Sequence, residues 1–157
     1  GIIIVTFIFS RKRNLKALFL LDIIACVSPI GIFLGRIANF INSELYGKET
    51  DIMWSVKFLA VDNVSRHPSQ IYEAILEGLV LFILLNYLVK KYRFKKSGFI
   101  SSFFLIFYSI FRFFIEFFRV PDSQIGYIFL NLSLGQVMSI IFFSLGAFLF
   151  FKKNNAI

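Results

Sequence analysis

The sequence predicts an all-α polytopic membrane protein, a helical transmembrane bundle with a small extracytoplasmic polar region. Three observations carry that prediction. The 157 residues are 58% hydrophobic, with a mean hydropathy of +0.79 and 23 Phe. A soluble domain of this size with such a composition would expose large apolar patches to water. The apolar residues also gather in runs close to the roughly 20 residues that a bilayer crossing takes. Finally, the basic residues behind the net charge of +8 fall in short runs between those apolar stretches. That placement sets the orientation of a membrane protein and argues against a nucleic-acid surface.

Taken in order, residues 1–9 (GIIIVTFIF) are about half a span. No basic region and no small-residue cleavage site comes before them, so they do not read as a signal peptide. The expectation is a chain lacking its N-terminal part, with a span cut. A second span is expected over 15–34, carrying Asp22 and Pro29, and a polar extracytoplasmic segment over 35–70. The third span, 71–89, has Glu73 and Glu77 near its start; the fourth, 98–118, has Arg112 and Glu116 near its end; the fifth is 132–151. All of 1–157 reads as one transmembrane domain. Cys26 is the single cysteine, which excludes an internal disulfide, and its apolar setting reads as inert packing.

Orientation follows from the loops. Eleven Lys and Arg lie at 11–16, 90–96 and 152–153, against five in 35–70 and 119–131. The first three regions alternate with the other two along the chain, so they are expected on the cytoplasmic side. Arg36, Asn39, Glu44, His67, Glu73, Arg112, Glu116, Arg119, Asp122 and Gln136 then all fall near the outer interface.

Three motifs could carry chemistry there. Arg112 and Glu116 stand at i and i+4 in an apolar helix (FYSIFRFFIEFFR), with Tyr108 one turn earlier on the same face. A charge within a span costs about 2.5–3.5 kcal/mol on insertion scales and generally faces a partner or a polar cavity. A structural ion pair is the plainer alternative. The second motif, GRIANFINSE from Gly35 to Glu44, combines a guanidinium, two amides and a carboxylate. It reads equally as a phosphate site or as a solvated loop with an anchoring Arg. The third, RHPSQIYE from Arg66 to Glu73, places the only histidine before Pro68. His67 could titrate near neutral pH, although a histidine that packs the helix start is the more ordinary reading. Glu73 and Glu77 share a helix face and suit pairing with an Arg across the bundle. There is no P-loop, no His/Cys metal spacing and no G-x-S-x-G elbow. No metal and no cofactor are expected. Arg, carboxylate and amide chemistry at a membrane face suits a lipid phosphate.

Four stretches together resemble the bacterial prolipoprotein diacylglyceryl transferase family: GRIANFINSELYG at 35–47, RHPSQIYEAILEG at 66–78, FRFFIEFFRVPD at 111–122 and LSLGQ at 132–136. The first matches the family signature, Gly-Arg-x-x-Asn-Phe-x-Asn-x-Glu-x-x-Gly, at each fixed position. The resemblance implies an enzyme of the bacterial inner membrane. It would transfer the diacylglyceryl group of phosphatidylglycerol to the lipobox cysteine of a lipoprotein precursor, at the outer face, releasing glycerol phosphate. It assigns Arg36, Asn39, Glu44, Tyr108, Arg112 and Glu116 to the catalytic site. Arg36 and Arg112, with Asn42, His67 and Gln136 in the same polar zone, are the candidates for substrate binding. The family's N-terminal third, with a catalytic His-Gly-Gly-Leu loop, has no counterpart in these residues, and His67 belongs to a different motif. Two other classes stay open at this point, a transporter with an intramembrane Arg/Glu path and a non-catalytic lipid-binding module.

Overall fold

Residues 1–120, 126–129 and 132–154 are described in the computed structural model. Each apolar run is helical. Helix α1 is Ile2–Lys12, α2 Ala17–Ile41, α3 Ser69–Tyr92, α4 Phe99–Ile115 and α5 Leu134–Asn154. Two short antiparallel ladders complete the described fold: β1 (Val56–Lys57) with β2 (Ser65–Arg66), and β3 (Tyr127–Phe129) with β4 (Leu132–Ser133). By length and apolarity α2, α3 and α5 each suffice to cross a bilayer, while α4 is apolar and shorter, at 17 residues. Large apolar side chains point outward along these helices, among them Val27, Leu34, Ile83, Ile141 and Phe148. Such faces are stable against lipid tails and not against water.

The bundle is held at two levels. Between α2, α3 and α4, the buried side chains of Ala25, Cys26, Leu81, Leu85 and Ile100 form a core ringed by Phe94, Phe99, Phe103 and Phe107. Near one end of that core, Asp22 is fully buried, an expensive position for a carboxylate. Its Oδ2 accepts from the Gly98 amide at 2.6 Å, and its Oδ1 from the Ser101 amide and hydroxyl at 2.8 and 2.6 Å. Asp22 therefore caps the first turn of α4 from a neighbouring helix, satisfying donors that have no partner of their own in that turn.

Helix α2 differs from expectation. It runs through residue 41 instead of ending at 34, so Arg36 and Asn39 project from its last two turns and not from a loop. The cause is visible in GRIANFI, which contains no proline and keeps Ile37, Phe40 and Ile41 at helical spacing. The helix closes through Asn42, and Ser43 and Leu45 then take left-handed backbone angles (φ 57° and 55°) that turn the chain back.

Helix α3 is interrupted by a π-helical segment at Ala74–Val80, immediately after Glu73. A wider turn of this kind redirects the side chains that follow it. At Gly78 a Cβ would lie 2.7 Å from the Phe33 Cβ and 2.8 Å from its Cα. The bare glycine lets α2 and α3 come into backbone contact and brings Arg36 close to the acids of α3.

Candidate functional site

Six charged side chains from α2, α3, α4 and the residues just after α4 form one cluster. Glu73 and Glu77 are fully buried, Glu116 and Arg119 are nearly so, and Arg36 and Arg112 are partly buried. Glu73 is the common partner. Its Oε1 accepts a short hydrogen bond from Arg112 and lies 3.5 Å from Arg119 Nη1, while its Oε2 is 3.3 Å from Arg36 Nη1. Glu77 stands further off, 3.7 Å from Arg112 and 3.8 Å from Arg36. Arg112 Nη2 meets Glu116 Oε2 at 2.9 Å, the i,i+4 pair expected from the sequence. Three guanidiniums balance three carboxylates, which is the condition for holding so much charge away from water.

Glu116 also ties α4 to α5. Ser133 Oγ donates to its Oε1 at 3.0 Å. A Cβ on Gly135 would fall 2.7–2.8 Å from the Glu116 carboxyl atoms, so the carboxylate rests directly on the first turn of α5. Gln136 completes this seat. Its Oε1 accepts from the Ser133 amide at 3.0 Å, and its own amide donates to Ser133 Oγ at 3.3 Å. This reciprocal pair is a capping box, and Ser133-x-x-Gln136 was its readable signal. In the structure Gln136 is buried in the helix cap, one residue removed from the charged cluster through Ser133.

Arg36, Asn39 and Tyr108, with Ile32 and Gly35, line an open pocket of about 260 Å³ between α2 and α4. Arg36 is thus shared between pocket and cluster. It is held by ion pairs to Glu73 and Glu77, with no hydrogen bond of good geometry among the described residues. Arg112, by contrast, has both terminal nitrogens engaged by carboxylates and does not line that pocket. Arg36 and Arg112, 76 positions apart in sequence and expected with Glu116 to line one cavity, share Glu73 and Glu77 as partners, but of the three only Arg36 lines this pocket. Tyr108 stacks flat on Phe104, with ring centroids 5.7 Å apart.

The remaining candidates lie in the polar segment between α2 and α3. Three strands of chain are stitched together there: the Gly47 amide donates to the His67 carbonyl (3.0 Å), the His67 amide to the Lys48 carbonyl (2.9 Å), and the Lys48 amide to the Phe118 carbonyl (2.8 Å). The His67 ring packs edge-on against Phe118 and Tyr72, and its Nδ1 is 3.3 Å from the Tyr72 hydroxyl. Burial holds the imidazole below its ordinary value, so it stays neutral at pH 7. These contacts are those of a histidine that packs the entry to α3. Asn42 and Glu44 are exposed, and the Glu44 carbonyl accepts from Gln70 Nε2 at 2.6 Å. Arg66 pairs with Asp62 (2.6 Å) and Glu49 (3.5 Å) over the Tyr46 ring, apart from the cluster, and holds the Asp62 carboxyl below its usual range. Asp122 lies outside the described residues.

The family model described as prolipoprotein diacylglyceryl transferase matches residues 1–152. Among curated proteins, the chain is 51% identical over 155 residues to a phosphatidylglycerol–prolipoprotein diacylglyceryl transferase of Rickettsia felis, covering 98% of this chain and 60% of that protein. It is 53% identical over 155 residues to the protein of the same description from Rickettsia bellii, covering 98% of this chain and 59% of the relative. The chain thus spans about 60% of the length of the curated relatives it matches.

Proposed function

The chain belongs to the prolipoprotein diacylglyceryl transferase family, and we propose that the complete protein moves the diacylglyceryl group of phosphatidylglycerol onto the lipobox cysteine of a lipoprotein precursor. In that reaction the cysteine sulfur forms a C–S bond to the glycerol carbon that bears the phosphate. The C–O bond to phosphate breaks, glycerol phosphate departs, and the thiol proton passes to a base, since the thiolate is the nucleophile.

The observation that carries the proposal is the placing of Arg36. Its guanidinium lines an open pocket beside Asn39 and Tyr108 and is anchored from behind by buried carboxylates. A planar, permanently charged fork with free donors suits a phosphate ester, and it stabilises the charge that grows on the phosphate as it leaves. Arg112 works at one remove, fixing the acids against which Arg36 is set. Asn39 and Tyr108 offer neutral hydrogen-bonding groups to the same ligand. Asn42, Glu44, His67 and Gln136 belong to the frame around the pocket. The diacyl chains can stay in lipid throughout, since exposed apolar side chains such as Leu34 and Ile41 flank the pocket-lining residues of α2.

The charged pairs lie at one end of the bundle. The buried acid towards the other end, Asp22, is consumed in capping α4, roughly 21 Å along α2 from Arg36. A transport path would need polar groups through the bilayer depth instead. The direct test incubates membranes containing the complete protein with phosphatidylglycerol and a lipobox peptide, and detects the diacylglyceryl thioether by mass. The product is expected from the complete wild-type protein, and its absence from well-folded protein would reject the transferase reading.

We further propose that the protein sits in the bacterial inner membrane with this end outward. In a Cys26→Ser background, a thiol reagent that cannot cross membranes should label Met53→Cys, which is 97% exposed, in intact cells. Lys95→Cys should react only after permeabilisation. The reverse pattern would invert the topology and remove the pocket from the face where precursors arrive.

A further inference from the structure

The chemistry proposed above draws on Arg36, and it leaves unexplained why Glu73, a fully buried carboxylate, lies within ion-pairing distance of three guanidiniums. We propose that Glu73 is a positioning residue, a carboxylate that fixes the guanidiniums of Arg36 and Arg112 relative to one another so that the pocket presents a rigid phosphate-binding edge. The proposal rests on the transferase reading.

Geometry supports it in three ways. First, the two oxygens of Glu73 divide the work: Oε1 faces Arg112 and Arg119, and Oε2 faces Arg36. Cations this close in a medium of low dielectric repel one another strongly, and an anion between them is what allows them to be neighbours. Second, Glu73 does not line the pocket, so it acts through Arg36. It takes Arg36 by Nη1, while Glu77, at 3.8 Å from Nη2, is too distant for a hydrogen bond. The guanidinium is therefore anchored at one corner with the rest of its donors available. Third, the backbone is arranged around this side chain. The π segment begins at the next residue, and Gly78 within it admits the Phe33 backbone, which draws α2 and its Arg36 onto α3. π segments inside helices are frequent at functional sites.

The test uses the complete protein, purified in detergent, with phosphatidylglycerol micelles and a lipobox peptide. Glu73→Gln keeps the shape and removes the charge. Its kcat is expected to fall about ten- to a hundredfold, the scale on which misplaced groups slow a reaction. Its KM for phosphatidylglycerol should stay level or fall, because the cluster gains one net positive charge. Glu73→Asp should recover part of kcat. A merely structural role would instead lower the amount of active enzyme and leave kcat per folded molecule and KM as they were. A Glu73→Gln protein with kcat within about twofold of wild type, or with raised KM and unchanged kcat, overturns the proposal. Should the Gln variant not accumulate as folded protein, Glu73→Asp carries the test, with a reduced kcat at constant KM expected and wild-type kinetics fatal. A wild-type protein that forms no thioether sinks the transferase reading, whereas an active wild type beside a fully active Glu73→Gln sinks only the role given to Glu73.

Discussion

Replacing Arg36 by Ala in the complete protein is expected to reduce thioether formation at least about tenfold while leaving the protein folded. A charge-assisted hydrogen bond contributes about 1.5–3 kcal/mol, and each 1.36 kcal/mol of transition-state stabilisation is tenfold in rate. Arg36 is the arginine that lines the pocket, and Arg112, hydrogen-bonded to Glu73 and ion-paired with Glu116 away from that pocket, cannot take its place. Stability should suffer too, since three buried carboxylates are left facing two guanidiniums, but less than on loss of Arg112, because Arg36 is held by ion pairs at 3.3 and 3.8 Å with no well-formed hydrogen bond to lose. Lys would restore the charge without the planar fork, so Arg36→Lys should also be impaired, though less than Ala. The readout is the initial rate of thioether formation at saturating peptide, with the amount of folded protein measured in parallel. Full activity in both variants would refute the view that Arg36 holds the phosphate.

Much of this site was legible in the sequence because charge is conspicuous in an apolar helix. Arg112 and Glu116 needed no structure to be paired, since i,i+4 spacing alone places them on one face. Glu73 and Glu77 could likewise be expected to meet an arginine across the bundle. The hub role of Glu73 was not legible. It depends on a π-helical turn and on the depth to which Gly78 lets α2 approach, and neither has a local sequence signature as plain as a cap or a proline. The polarity of GRIANFINSE masks its helical period, so sequence alone places Arg36 and Asn39 in a polar segment beyond the span. The interface itself solvates such residues at the end of a helix, so their polarity was no reason for the helix to stop. Asp22 reads from sequence as an unexplained acid within a span. Its partners, the amides of Gly98 and Ser101, lie more than 70 residues away, and only the packing of α2 on α4 brings them together.

Arg112→Ala is expected to do more damage than Arg36→Ala, and of a different kind. Arg112 touches all three acids of the cluster, with Glu73 by a hydrogen bond, Glu116 at 2.9 Å and Glu77 at 3.7 Å. Its removal leaves three buried carboxylates facing two guanidiniums. Breaking a buried pair by deleting one partner typically costs about 3–5 kcal/mol, because the partner left behind is uncompensated. For a protein of this size that corresponds to a drop in melting temperature on the order of 6–20 °C. The detergent-solubilised variant should therefore melt well below wild type, and its activity should fall further than the pocket alone would require. Adding Glu116→Gln restores the balance of charge, with two guanidiniums against two carboxylates. Ser133 Oγ and the first turn of α5 still surround the substituted side chain. The double variant should thus regain part of the lost stability without regaining activity, since Arg36 and Glu73 would no longer be braced from the α4 side. Arg112→Lys should fall between the two, because one ammonium cannot reproduce the separate contacts that the terminal nitrogens make with Glu73 and Glu116. An Arg112→Ala protein that melts with wild type would mean that the cluster carries no net stabilising charge pairing, and the account of how Arg36 is held in place would fail with it.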